Sequence, residues 1–298
     1  MVTVKKDITK NIQQYHFKEG LTQEFEIIDI QDLYSKNREQ LITPHRTGFY
    51  HIVWFEEGNG TQYIDFTPIS TSPGSLLFIH KDMVKQFDVK PSFRGKIILF
   101  TDAFFSTQQH HLSYLNTSVL FNDFFKVAHL QIQHDNLSPI ASVFSQLEIE
   151  FKHSYDEYKP IILQNLLHNL MLYSERIYRI FHLQEIKKGN ALTILIQFKD
   201  ILENHYQQHK KVSFYAEKLH LTEKKLAKCT FETIGKSAKE MIQDRTILEA
   251  KRLLAHTHLS IKEIGFELGF DEPTNFVKYF KNSENQIPTV FRELYQKG

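Results

Sequence analysis

One stretch of text occurs twice. "AEKLHLTEKKLAKCTFETIGKS" (Ala216 to Ser237) aligns with "FELGFDEPTNFVKYFKNSENQI" (Phe266 to Ile287) once a single extra residue is allowed in the second turn. Leu219 then matches Leu268, Leu221 matches Phe270, Leu226 matches Phe276 and Lys228 matches Lys278. Each copy reads as a helix, a tight corner and a second helix. The corner is most explicit in the second copy. Ser260 and Glu263 have capping-box spacing, Gly269 permits a left-handed stop, Asp271 can cap the next helix, and Pro273 fits its first turn. Phe276 and Phe280, four apart, point inward, which leaves Thr274, Val277, Lys278 and Lys281 outside. A helical hairpin this small buries too little to hold its angle alone, so it needs a longer element to pack on. Between the copies, "KEMIQDRTILEAKRLLAHT" (Lys239 to Thr257) has helix-compatible apolar spacing. At 1.5 Å per residue it spans roughly 27 Å, which suits two recognition helices placed about one turn of duplex, roughly 34 Å, apart.

Length and composition bound the rest. At 298 residues the chain accommodates two domains, and 41% hydrophobic with 24% charged residues excludes disorder and fibrous repeats. The single cysteine, Cys229, cannot form an internal disulfide, and "MVTVKKDITKNIQQYHF" lacks the apolar core of a signal peptide, so a cytoplasmic location is expected. No run approaches the roughly 18 to 20 apolar residues that span a bilayer, so no membrane partner is expected. From Ala191 onward 17 Lys and Arg face 14 Asp and Glu, a mild local excess that permits a surface for nucleic acid.

The first half has a different period. "FYHIVWFE" (Phe49 to Glu56) alternates Phe49, His51, Val53 and Phe55 with Tyr50, Ile52 and Trp54, and Gly58-Asn59-Gly60 predicts a hairpin into "TQYIDF". "STSPGSLLFI" and "GKIILF" supply further strands, and a small β-barrel or sandwich follows. After Phe104 the pattern turns helical, with one helix starting at Ser138-Pro139 and another holding Pro160 just inside its start. In the latter Leu163, Leu167, Leu170, Ser174, Ile177 and Phe181 form one stripe, while Ile162, Leu166, Tyr173 and Ile180 form a second. Either both stripes face one core, or the second meets another copy of the chain. "KKGN" (Lys187 to Asn190) reads as the linker.

The C-terminal constellation resembles the DNA-binding domain of the AraC/XylS family of transcription regulators. The resemblance covers about Ala191 to Gln296 and rests on "EAKRLL", "LSIKEIGFELGF", "NFVKYFK" and Pro288-x-x-Phe291-Arg292, in order and at family spacing. It implies that the second helix of each motif reads bases, with Lys224, Lys225, Ala227 and Lys228 in the first contact set and Thr274, Asn275, Val277, Lys278 and Lys281 in the second. This chain departs from the family in having Glu284-Asn285 for a usual Phe-Gly pair and Thr230 for a common core phenylalanine. Thr43 to Phe87 resembles the cupin-type sensor barrel placed before that domain in many members. Metal-dependent cupins have histidines and a carboxylate where this chain has His45, Thr47, His51 and Lys85, and a lysine there would repel a divalent ion. No metal and no cofactor is therefore expected. His45, Phe49, His51, Val53 and Phe55 form the candidate effector pocket, and His45 with Arg46 would suit an anionic effector.

The resulting expectation is an α+β chain of two domains. A small antiparallel cupin-like β-barrel with helices, for sensing and dimerisation, occupies residues 1–186. An all-α domain of two helix-turn-helix motifs joined by a linker helix occupies residues 191–298. Function is expected to be sequence-specific DNA binding for transcription regulation under a small-molecule effector, without enzymatic activity. Double-stranded operator DNA, a second copy of the chain and RNA polymerase are the expected partners. The alternatives are a cupin-type metal-dependent enzyme or an adaptor that binds protein through the same helices.

Overall fold

The computed structural model describes residues 12–17, 23–81, 83–88, 92–105, 114–115, 118–121, 127–132, 134–182 and 190–296. The chain divides into two compact units, one within Gln13–Gln184 and the other within Glu185–Gly298. The sequence-predicted linker Lys187 to Gly189 lies outside the described residues, and Asn190 already opens a helix.

Among the described residues the first unit holds ten strands: β1 (Gln14–Tyr15), β2 (Phe25–Asp29), β3 (Arg46–Thr47), β4 (Tyr50–Glu57), β5 (Gly60–Ile64), β6 (Thr67–Thr71), β7 (Ser75–Ile79), β8 (Lys85–Gln86), β9 (Arg94–Phe100) and β10 (Ala128–Gln131). A five-stranded antiparallel sheet runs β10-β7-β4-β9-β2, and a three-stranded sheet runs β6-β5-β8. The alternation of β4 decides both faces. Val53 and Phe55 share one core with Ile64 and Ile69 of the smaller sheet, together with Ile30, Tyr34 and Leu41 of helix α1 (Ile30–Ile42). Tyr50, Ile52 and Trp54 face a second core, completed by the short turn α2 (Asp102–Phe105) and helices α3 (His134–Lys152) and α4 (Lys159–His182). A strand buried on both faces carries apolar side chains of both parities, as β4 does.

The expected β4-β5 hairpin does not form. Both edges of β4 are taken by β7 and β9, so Gly58 and Asn59 carry the chain out of one sheet and into the other, where β5 pairs with β6 and β8. Gly58 has φ +76°, and a Cβ there would stand 1.9 Å from the Ser92 carbonyl oxygen, so this crossing needs glycine. Helix α3 opens at His134, a turn ahead of the expected Ser138-Pro139 start. On α4, Leu163, Leu167, Leu170 and Ser174 are buried, and Leu166, Tyr173 and Ile177 pack partly on the same core; Ile162 and Ile180 stand exposed.

The second unit is helical: α5 (Asn190–His205), α6 (Val212–Lys218), α7 (Glu223–Ile234), α8 (Ala238–His256), α9 (Ile261–Glu267), α10 (Pro273–Glu284) and α11 (Pro288–Gln296). Helix α8 is unbroken over 19 residues and packs against α6, α7, α9, α10 and α11. Besides Met241, Ile242, Ile247 and Leu254 it buries Arg245, Glu249 and Arg252. Arg245 is held by Glu203 of α5 and by Glu249 at 3.3 Å, Arg252 reaches Glu249 at 3.1 Å, and the Arg245 guanidinium lies 3.9 Å from the centre of the Tyr206 ring. The carboxylates of Glu203 and Glu249 hold the Arg245 guanidinium charged despite its burial.

Candidate nucleic-acid interface and effector cavity

The two helical hairpins close with the same hydrogen bonds. Leu221 N–H donates to Ala216 and Phe270 N–H to Gly265, at 2.8 and 2.9 Å; one residue earlier, His220 donates to Glu217 and Gly269 to Phe266, at 2.9 and 2.8 Å. This is the Schellman pattern, which needs a left-handed residue. Gly269 supplies it at φ +72°, and His220 at φ +54°. The first copy thus spends a histidine where the second has glycine. Gly269 has a further reason: a Cβ there would lie 1.9 Å from the Gln207 carbonyl oxygen, whereas at Gly235, also left-handed, nothing stands within 4 Å. Lys210, which donates to the carbonyls of Gln207 (3.0 Å) and Leu268, clamps this corner, and burial draws its ammonium down to about 8.

Caps fix where each outer helix begins. The Thr222 hydroxyl accepts from Lys225 N–H at the start of α7, and Ser260 with Glu263 forms the expected capping box of α9. Asp271 does not cap α10 as expected. Glu272 is the cap residue, without a side-chain bond, and Pro273 removes one amide that would need a partner. At their far ends Gly235 and Asn285 occupy equivalent left-handed caps, so Asn285 does the work of the family's glycine. Leu226, Cys229 and Thr230 of α7 and Phe276 and Phe280 of α10 are buried. Facing the other way, Lys224, Lys225, Lys228, Thr274, Asn275, Lys278 and Lys281 are exposed, and Ala227 and Val277 are half-buried at the same place in the two helices. Lys228 leans 3.7 Å from Glu232, both largely in solvent, an ion pair too exposed to hold it back from a phosphate.

In the first unit a cavity of about 40 Å³ is lined by Tyr15, Leu33, Asn37, Gln40, Leu41, His45, Thr47, Phe49, His51, Phe87, Ile97 and Leu99. His45, Phe49 and His51 are brought together there. Val53 and Phe55, expected to line it, share the face but lie outside the cavity, because each further pair of residues along β4 moves roughly 6.6 Å away. Behind Thr47 and His51 stands Lys85, fully buried, with its ammonium 2.7 Å from Thr47 Oγ1 and 3.3 Å from His51 Nδ1. Burial first, then the Lys85 charge, lower both imidazoles, His45 to about 4 and His51 well below its ordinary value. His45 is therefore neutral at pH 7 and offers no charge to an anionic effector. It donates from Nδ1 to the Thr43 carbonyl at 2.8 Å, since a carbonyl only accepts. The Tyr15 hydroxyl is buried without a hydrogen-bond partner among the described residues. Sequence reasoning missed Tyr15 and the α1 residues because both lie before the strands it recognised. Among the described residues no three His, Cys, Asp or Glu side chains converge as a metal centre would require.

Comparison with known proteins matches this division. A model of the AraC-like ligand-binding domain fits residues 31–170, and a helix-turn-helix domain model fits residues 215–294. This chain carries an AraC-like ligand-binding domain followed by a helix-turn-helix domain. Among its relatives, the Msm operon regulatory protein of Streptococcus mutans is 31% identical over 120 residues, 40% of this chain and 43% of that protein. The chain therefore spans less than half the length of that relative. The lactose operon transcription activator of Staphylococcus xylosus is 24% identical over 240 residues, covering 79% of this chain and 81% of the other. A solved structure of ToxT from Vibrio cholerae aligns with 92% of this chain and 99% of its own at 13% identity, with a TM-score of 0.42. No helix among the described residues is long and apolar enough to cross a membrane.

Proposed function

We propose that this protein is a sequence-specific DNA-binding transcription regulator whose two outer helices, α7 and α10, enter successive major grooves of one duplex. The observation that carries this reading is the repetition itself. Two hairpins closed by the same corner bonds are mounted on one unbroken helix, and each turns lysines outward at matching positions, Lys228 and Lys278. Lys224, Lys225, Lys228, Lys278 and Lys281 supply charge to phosphates and guanine edges; Thr274 and Asn275 supply adaptable polar contacts. The same surface on an adaptor would have no reason to be cationic in both copies.

The cavity under α1 is the effector site in this reading. It is small as it stands, and α1 breaks helical geometry at Asn37 (φ −135°, ψ 28°), directly over it. A ligand that favours a displaced α1 would bias the chain between two states, which is the only way binding there can reach DNA. Exposed Ile162 and Ile180 on α4 suit a second copy of the chain as partner, and exposed Val290 and Leu294 on α11 suit a protein such as RNA polymerase. The test is footprinting of genomic DNA by the full chain, followed by titration of the recovered duplex across salt. Log affinity should fall with log salt at about −0.9 per phosphate contacted. Equal affinity for recovered and scrambled duplexes would overturn the reading.

A further inference from the structure

The outward face of α7 is not purely cationic. Phe231 is 63% exposed, among the most exposed large apolar residues of the second unit. It follows Lys224 and Lys228 at the i, i+4, i+7 spacing, so at 3.6 residues per turn it sits about 20° around the helix from Lys224 and about 60° from Lys228, flanking the lysines on the side of Ala227. Thr230, beside it, is buried and turns inward. Counting from the paired Lys228 and Lys278, Phe231 holds in the first copy the position of Lys281 in the second. Lys281 can reach a phosphate; a phenyl ring cannot bond one. In the major groove each base pair shows donors and acceptors, and the one apolar group among them is the thymine C5 methyl. Phenylalanine is one of the side chains that packs on that methyl.

We propose that Phe231 reads thymine, its ring packing on the C5 methyl of one base in the half-site entered by α7. The proposal rests on α7 meeting DNA as described above and deepens it. It gives the two half-sites of one chain different chemistry: lysines and a phenyl ring on α7, threonine, asparagine and lysines on α10. The half-sites are then unlike in sequence although the hairpins that read them are alike in build.

The experiment uses the full chain and a duplex recovered by selection from random sequence. Each thymine is replaced in turn by uracil, which removes only the methyl. The wild-type chain should lose about four-fold in affinity at one position in the α7 half-site, the change for one methyl-sized apolar contact. F231A should show that loss on the unmodified duplex and no further loss on the uracil duplex, while keeping the wild-type response elsewhere; F231L should fall between. Because Phe231 is exposed, its replacement should leave the thermal midpoint unchanged, which separates a contact from a fold defect. If F231A keeps the wild-type thymine-to-uracil penalty, or weakens all sequences alike, Phe231 does not read a base. K228A separates the two levels of argument. If K228A binds as tightly as the wild-type chain, α7 does not meet DNA and the reading of function fails with the proposal. If K228A weakens binding while F231A does not, only the role of Phe231 is lost.

Discussion

Two glycines with nearly the same backbone make a controlled experiment. Gly235 and Gly269 have φ +69° and +72°, so alanine at either pays the left-handed penalty, about 1 to 2 kcal/mol, partly offset by a stiffer unfolded chain. A net cost of about 1 kcal/mol is expected for G235A, where the new methyl meets open space. In G269A the methyl would lie 1.9 Å from the Gln207 carbonyl oxygen, a distance no pair of such atoms adopts. The backbone around Gln207 must move, which weakens the bonds from Lys210 to Gln207 and Leu268. Two charge-assisted bonds in a half-buried place add roughly 2 kcal/mol, for a total near 3 kcal/mol. In a unit of about 100 residues each kcal/mol moves the melting midpoint by about 4 to 8 °C, so G235A should lose about 4 to 8 °C and G269A about 12 to 24 °C. The chain carries its own control. Its one tryptophan, Trp54, sits in β4 of the first unit, so its fluorescence follows that unit, while far-UV circular dichroism sees the helices of both units. The dichroism phase that Trp54 does not follow should shift, and the Trp54 transition should stay. Equal shifts for the two variants would refute the collision, and with it the account of why this corner requires glycine.

Three further outcomes follow from the same geometry. K278A should lose about 1 to 3 kcal/mol on the selected duplex and much less on a scrambled one, whereas K281A should weaken both alike; anisotropy titrations on the two duplexes decide it. S260A removes the hydroxyl that accepts from Glu263 N–H at 3.2 Å and should cost about 1 kcal/mol in urea unfolding followed by dichroism. The folded value of His45, about 4, lies below its unfolded 6.5, so its contribution is complete above pH 6.5 and is lost as pH falls toward 4. That loss is roughly 3 kcal/mol for His45, with His51 acting in the same direction. Urea titrations of Trp54 fluorescence at pH 7, 5.5 and 4 should show it, and H45N, whose amide can still donate to Thr43, should flatten the slope.

The helical unit was legible because its signals are local. A capping box spans four residues, a corner glycine acts on its own turn, and Phe276 and Phe280 declare a face by spacing alone. What escaped notice there was not periodic: His220 in a left-handed corner, and the charged core of Arg245, Glu249 and Arg252, whose burial is tolerable only because Glu203 arrives from another helix. In the first unit strands were readable and their pairing was not. A Gly-Asn-Gly turn between two strands looks the same whether they bond to each other or part into different sheets, and the decision lies with Arg94 to Phe100 far downstream. The cavity was half visible for the same reason. His45, Phe49 and His51 come from one contiguous stretch, while Tyr15, Leu33 and Leu41 reach it only once β1 and α1 have packed on the sheets.

The pairing of Phe25 with Phe100, and of Ala128 with Phe78, has a consequence in time. Strands so distant in the chain meet only after a large loop closes, which is slow, whereas helical hairpins assemble from neighbours and are fast. On the ribosome the sheet unit emerges first, but it stays incomplete until β10 has left the exit tunnel. β10 ends at Gln131, and at about 5 to 20 residues per second the stretch beyond it takes on the order of 10 s to make, so the slow closure of the sheets runs while the fast helical unit is still being synthesised.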